Sequence, residues 1–166
     1  RTDSIVIGEA ATRISVCIVT VDSTSTRNVI VWEKPVAANI DSFRVYRETG
    51  GIYQYIGGVD YNALSEFVDN TFGVNPQITS YRYKISVVDT CGNVSALSDY
   101  HKTVHLTSNL GLNGEVNLIW DNYYGFSFGY YYILRDTIGA GNFEIIDSVS
   151  YANFTYTDLS VPTTNR

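Results

Sequence analysis

Tyr81-Arg82-Tyr83-Lys84-Ile85-Ser86-Val87-Val88-Asp89, running into Thr90-Cys91-Gly92-Asn93, is the stretch whose reading decides the fold. Its apolar and aromatic residues at 81, 83, 85 and 87 alternate with Arg82, Lys84 and Ser86. A period of two puts one set of side chains in a core and the other toward solvent, which is the pattern of a β-strand. Cys91-Gly92-Asn93 makes a tight turn, and a more polar run follows from Val94 to Leu106. The pair predicts a hairpin whose first strand is central.

From Ile14 onward, similar runs recur at the spacing of a sandwich or barrel, about 8 to 12 residues. They cover 15–21, 27–33, 42–48, 53–59, 66–69, 81–89 and 100–106, punctuated by Pro35, Gly50-Gly51, Gly73 with Pro76, and Gly92-Asn93. Among 166 residues there are 14 Tyr and no Met, and 45% of the chain is hydrophobic. Aromatic and β-branched residues suit a pleated, half-buried surface, so the chain is expected to be all-β.

Lys and Arg number 11 against 17 Asp and Glu, a net charge of −6. That balance repels a phosphate backbone, and nucleic acid is not an expected partner. No run approaches the roughly 20 apolar residues of a membrane helix, so no membrane insertion is expected. Cys17 and Cys91 alone cannot complete a structural zinc site, which takes four ligands. A disulfide and two free thiols both stay open.

The second half repeats the first. Val29-Ile30-Val31-Trp32 matches Asn117-Leu118-Ile119-Trp120, and Phe43-Arg44-Val45-Tyr46-Arg47-Glu48 matches Tyr131-Tyr132-Ile133-Leu134-Arg135-Asp136, both at an offset of 88. Tyr53 to Val59 matches Phe143 to Val149 at 90, and Phe67-Val68-Asp69 matches Tyr156-Thr157-Asp158 at 89. So small a drift indicates two copies of one module. The expected organisation is a tail or linker over 1–12, a complete sandwich over 13–106, and a partial copy over 107–166 without its last two strands. The partial copy is expected to be incompletely ordered, or to be completed by a strand from another chain such as a neighbour's Ser4-Ile5-Val6-Ile7. The fragment would then self-associate through the open edge of its second copy.

These residues resemble the fibronectin type III family, an immunoglobulin-like antiparallel β-sandwich. Trp32 sits where that family places its second-strand core Trp, and Trp120 is its repeat counterpart. Tyr81 precedes Tyr83, Ile85 and Val87 at the spacing of the family's tyrosine corner, which implies a hydroxyl bonded to backbone upstream. The phrasing of Trp32-Glu33-Lys34, of Val87 to Ser95 and of Tyr124-Gly125-Phe126 resembles tandem modules of large secreted bacterial surface proteins, gliding-motility-associated ones in particular. The resemblance implies that Cys17 and Cys91 lie near one pole, where a disulfide would tie the two sheets together.

Chemistry is sparse. Gly125-Phe126-Ser127-Phe128-Gly129 fits the G-x-S-x-G elbow, but its flanks are strands and both histidines, His101 and His105, precede the serine. The two histidines are four apart, which on a strand separates them by about 13 Å, too far to chelate one ion. They read as half-exposed imidazoles on an edge strand. Asp60, Asp69, Asp89 and Asp158 fall at turns, where Asp bonds the local backbone. No catalytic set, metal site or cofactor site is expected.

The window from Trp120 to Tyr132 holds eight aromatics in thirteen positions. Tyr123, Tyr124, Phe126, Phe128 and Tyr130 could form a binding surface for a glycan or an extracellular protein, or could pack against the first module. The leading expectation is a non-enzymatic spacer or adhesion module of a larger secreted or cell-surface protein, whose partners are neighbouring modules of the same chain. The alternative is an accessory carbohydrate-binding module of a secreted glycan-degrading enzyme.

Overall fold

The structure, a computed structural model, describes residues 13–36 and 39–160; the Ser4-Ile5-Val6-Ile7 run and the 1–12 segment lie outside them. Among the described residues there is no helix, and so none long and apolar enough to cross a membrane.

The first seven strands are β1 (Val16–Val21), β2 (Asn28–Trp32), β3 (Ile40–Thr49), β4 (Ile52–Asp60), β5 (Glu66–Asp69), β6 (Arg82–Asp89) and β7 (His101–Lys102). They form two antiparallel sheets ordered β1-β2-β5 and β4-β3-β6-β7. β6 is central, paired with β3 on one side and β7 on the other. Its alternation sends Tyr83, Ile85 and Val87 inward, each fully buried, against Trp32, Phe43 and Val45. Trp32 and Phe43 meet with ring centroids 5.2 Å apart. Each such side chain stabilises the fold by on the order of 2 kcal/mol through apolar area removed from water. Two sheets closing face to face in this strand order make an immunoglobulin-like antiparallel β-sandwich of the fibronectin type III kind.

At its rim, the Tyr81 hydroxyl accepts from Asn75 N at 2.9 Å and donates to Gly73 O at 3.5 Å, fastening the loop before β6. Tyr81 itself is half-buried; Tyr83 is the tyrosine of the core.

The strand expected over 100–106 is reduced to His101–Lys102. The reason is local. Ser98 Oγ accepts from Ile85 N at 2.9 Å and Ser95 Oγ accepts from Val87 N at 3.0 Å, so serine hydroxyls replace backbone carbonyls beside β6. Side-chain bonds of this type compete with a regular ladder.

Five more strands follow: β8 (Leu106–Leu110), β9 (Val116–Trp120), β10 (Tyr130–Arg135), β11 (Glu144–Ser150) and β12 (Thr155–Asp158), in sheets ordered β12-β9-β8 and β10-β11. Their details repeat those of the first set. Asn28 faces Asp69 between β2 and β5, and Val116 faces Asp158 between β9 and β12. The β3–β4 ladder slips between Val45 and Tyr46, and the β10–β11 ladder slips at the counterpart step, between Ile133 and Leu134.

A charged network recurs as well. Arg47 Nη1 donates to Asp69 Oδ2 at 2.7 Å while Thr71 N and Oγ1 donate to Asp69 Oδ1. Arg135 Nη1 donates to Asp158 Oδ2 at 2.8 Å while Ser160 N and Oγ donate to Asp158 Oδ1. A buried carboxylate is tolerated only when its charge and lone pairs are met, and both sites meet them with an arginine and a hydroxyl residue two positions on. The first site is the drier: Tyr83 OH also donates to Asp69 Oδ2 at 2.9 Å and accepts from Asn28 Nδ2 at 2.8 Å. Burial, and then the Asp69 charge, push the Tyr83 hydroxyl pKa far up.

One difference separates the sets. β3 is flanked by β4 and β6, whereas among the described residues β10 pairs only with β11. Beside it, an apolar groove of about 240 Å³ is lined by Leu106, Trp120, Ile133, Leu134 and Phe143.

The disulfide implied for Cys17 and Cys91 is not present; both are free, exposed thiols. Cys17 lies in the β1 bulge between Val16 and Ile18, on the solvent side of the buried Val16 and Val19. Cys91 is in the turn after β6, whose backbone N–H groups at 91 and 93 are held by the Asp89 carboxylate. Both side chains are exposed to solvent.

Candidate functional site

The aromatic window spans the end of β9, a connection and the start of β10, and it lies against the edge of the first sandwich. Trp120 is buried and stacks edge-on with Tyr131 at 5.5 Å between centroids. Asp121 then turns the chain toward β7. Its Oδ1 accepts from His105 N at 2.6 Å, and its Oδ2 accepts from Ser80 Oγ and pairs with Lys102 Nζ at 2.9 Å. Burial raises the Asp121 pKa, but these donors outweigh it and hold the carboxyl below its ordinary value.

Tyr123 reaches furthest. It is 8% exposed and belongs to the core cluster of the first sandwich, although it lies beyond β9 in the chain. Its hydroxyl accepts from Val19 N at 3.3 Å, covering a donor on the free edge of β1, and stands 2.8 Å from His101 Nδ1. With Val19 N–H already donating to the oxygen, the hydroxyl proton can point to Nδ1, which fits a neutral imidazole protonated on Nε2. Burial pushes the His101 pKa down, against the pull of Asp99. The Tyr123 hydroxyl is pushed up to about 12, by burial first.

The next residues extend the first sheet. Lys102 N donates to Tyr124 O at 2.7 Å, an antiparallel bridge on the outer side of β7. Gly125 has φ 153°, and its backbone lies so close to the His101 ring that a methyl group there would overlap the imidazole. Only glycine serves both demands.

The window therefore divides. Tyr123 and Phe128 pack inward: Phe128 lies 4.8 Å from Tyr131 and 6.1 Å from Tyr123 between ring centroids. Tyr124, Phe126 and Tyr130 are 52%, 48% and 64% exposed. The expected five-ring surface is a packed pair and three exposed rings. Trp32 and Trp120 are both buried, and Tyr81 sits at the rim as described. His101, expected to be half-exposed, is buried because the connection after β9 covers it. Ser127 is exposed, and the His101 imidazole beneath the covering loop is engaged by Tyr123 through Nδ1. Among the described residues, no group of three His, Cys, Asp or Glu side chains could hold a metal ion.

The sequence marks nothing at Asp121 and offers His101 only as a half-exposed imidazole on an edge strand. Their partners, Ser80, Lys102, His105 and Tyr123, meet them only after folding, and no spacing marks them.

What the strand order and this junction define is a protein of fibronectin type III-like β-sandwich architecture, with the aromatic connection seated on the first sandwich. No family model and no curated protein matches the chain. Among solved structures it is similar to an Fn3-like protein from Clostridium thermocellum, at 23% identity over 54% of this chain and 84% of that one, with a TM-score of 0.41. It is also similar to the FN1-FN3 domains of chicken CNTN1, at 14% identity over 90% of this chain and 57% of that one, with a TM-score of 0.44.

Proposed function

We propose that this chain is a non-catalytic structural or adhesion segment of a larger secreted or cell-surface protein, in which 13–106 and 107–166 act as successive modules held in a fixed orientation. The observation that carries this reading is the junction. Tyr123 enters the first core, Asp121 gathers Ser80, Lys102 and the His105 amide, and Tyr124 pairs with β7. Hydrogen bonds to a charged group contribute about 1.5–3 kcal/mol each, enough to restrict a hinge that a short linker alone would leave free. Neighbouring modules of the parent chain are then the primary partners, and the mechanism is geometric: stiff sandwiches set the distance between whatever lies at either end. The secreted, bacterial setting rests on the resemblance of the Trp32 and Val87 to Ser95 phrases to modules of surface proteins.

The test is small-angle scattering on the wild type and on Asp121→Ala. Rigid docking predicts one fixed extended profile for the wild type and a broadened distribution of sizes for the variant, with unchanged circular dichroism. A wild type already as flexible as the variant would refute the spacer reading.

A further inference from the structure

Two of the three exposed rings of the window, Tyr124 and Phe126, face one cleft. A cleft of about 660 Å³ opens between the end of the first sandwich and the aromatic connection, with Tyr124, Phe126, Phe128 and Tyr151 among its walls and Asp99, Asn122 and Ser127 at polar positions. Its volume falls within the roughly 300–1,000 Å³ usual for small-ligand sites. We propose that this cleft binds a neutral oligosaccharide, with the rings of Phe126 and Tyr124 stacking on sugar faces and the polar groups meeting hydroxyls.

Three observations favour that chemistry. First, the rings are held in advance. Phe126 is braced by Tyr123 at 4.8 Å and by Phe128 at 6.0 Å, and Phe128 lies 6.4 Å from Tyr151. Tyr124 is stacked on Tyr100 at 4.4 Å and 13°, which covers one face of its ring and leaves the residue 52% exposed. Rings fixed before binding lose little entropy on contact, which is the condition for stacking to yield net affinity. Apolar rings left bare on a fixed scaffold, when they gather at one cleft, mark a binding surface.

Second, the polar groups are acceptors and neutral donors rather than cations. The Asp99 side chain is 94% exposed with one oxygen on Arg13, and the Asn122 amide has its oxygen taken by the Tyr131 hydroxyl. Acids and amides of this kind pair with sugar hydroxyls. Third, among the described residues no Lys or Arg lines the cleft, Asp99 stands at it, and the chain carries a net charge of −6. That electrostatic setting disfavours anionic polymers and leaves uncharged ones.

The site is independent of the spacer reading, since a rigid junction can exist with or without a ligand. The experiment is an NMR titration of the 166-residue chain with cellohexaose, mannohexaose and xylohexaose, with oligogalacturonate and a proline-rich peptide as comparators. The proposal expects saturable shifts of the 121–128 and 151 amides with at least one neutral hexasaccharide, at a millimolar or tighter dissociation constant. It expects loss of about tenfold or more in Phe126→Ala and in Tyr124→Ala, both trimmed at exposed rings, with melting temperatures close to the wild type. Silence with all three neutral sugars overturns it. So does binding that survives both substitutions, or saturation by oligogalacturonate or the peptide in preference to the sugars.

Discussion

His101 and Asp121 are where single residues decide how the two halves meet. The native environment lowers the His101 pKa, so the folded protein resists a proton that the unfolded chain accepts near the ordinary value of 6.5. When the unfolded state binds more protons, stability rises with pH. The contribution is therefore whole above about 6.5 and declines as pH falls below it. Thermal unfolding followed from pH 8 to pH 5 should show the loss, and His101→Gln should flatten that part of the profile. The lowered carboxylates Asp121 and Asp158 act in the same direction further down: their share is present above 3.8 and is lost as pH falls through their depressed native values. A stability that stays level between pH 8 and pH 5 would show that His101 keeps an ordinary pKa.

At the scale of elements, the serine hydroxyls beside β6 and the twin carboxylate networks make separable predictions. Ser98→Ala strips Ile85 N of its acceptor on a buried strand and should cost about 1–3 kcal/mol, read by chemical denaturation, with faster exchange of the Ile85 amide. Ser95→Ala should act likewise on Val87 N. Between the networks, Asp69→Asn should be the more damaging substitution. It leaves Arg47 and Tyr83 facing a neutral amide in a fully buried site, a change of about 3–5 kcal/mol. Asp158→Asn leaves only Arg135 and Ser160, nearer the surface, and should cost less. Equal losses in parallel denaturation curves would mean that the Tyr83 hydroxyl adds nothing.

The elements also show what a linear reading can reach. The period-two runs from 15 to 89 matched strands within a few residues, because alternation reports a buried face directly. The offset of 88 to 89 residues extended to the ladder slip and to the Arg, Asp and hydroxyl set, since residues that satisfy one another must recur together. The strand expected over 100–106 shrank because Ser95 and Ser98 offered β6 side-chain acceptors, a competition that periodicity does not register.

For the molecule as a whole, β10 has a strand on only one side among the described residues, beside an apolar groove that includes Trp120 and Ile133. An unpaired edge next to exposed Leu134 and Phe143 is a template for another strand. The 166-residue chain is expected to self-associate in a concentration-dependent way, and Ile133→Lys should weaken that association. Light scattering that finds a monomer at every concentration would contradict this.

Alternation, turn residues and the internal repeat determined, from the sequence by itself, the all-β sandwich, its central strand and the recurrence of Arg47 and Asp69 as Arg135 and Asp158, though not that they pair. Those features depend on neighbours one or two positions apart or on a constant offset, and both are written along the chain. Only the tertiary structure decided that Cys17 and Cys91 face solvent, that Tyr123 belongs to the first core, and that Tyr124 and Phe126 stay at a cleft. These outcomes depend on which surfaces meet when β9 is brought against β7 and β1, contacts whose partners lie as many as 104 residues apart.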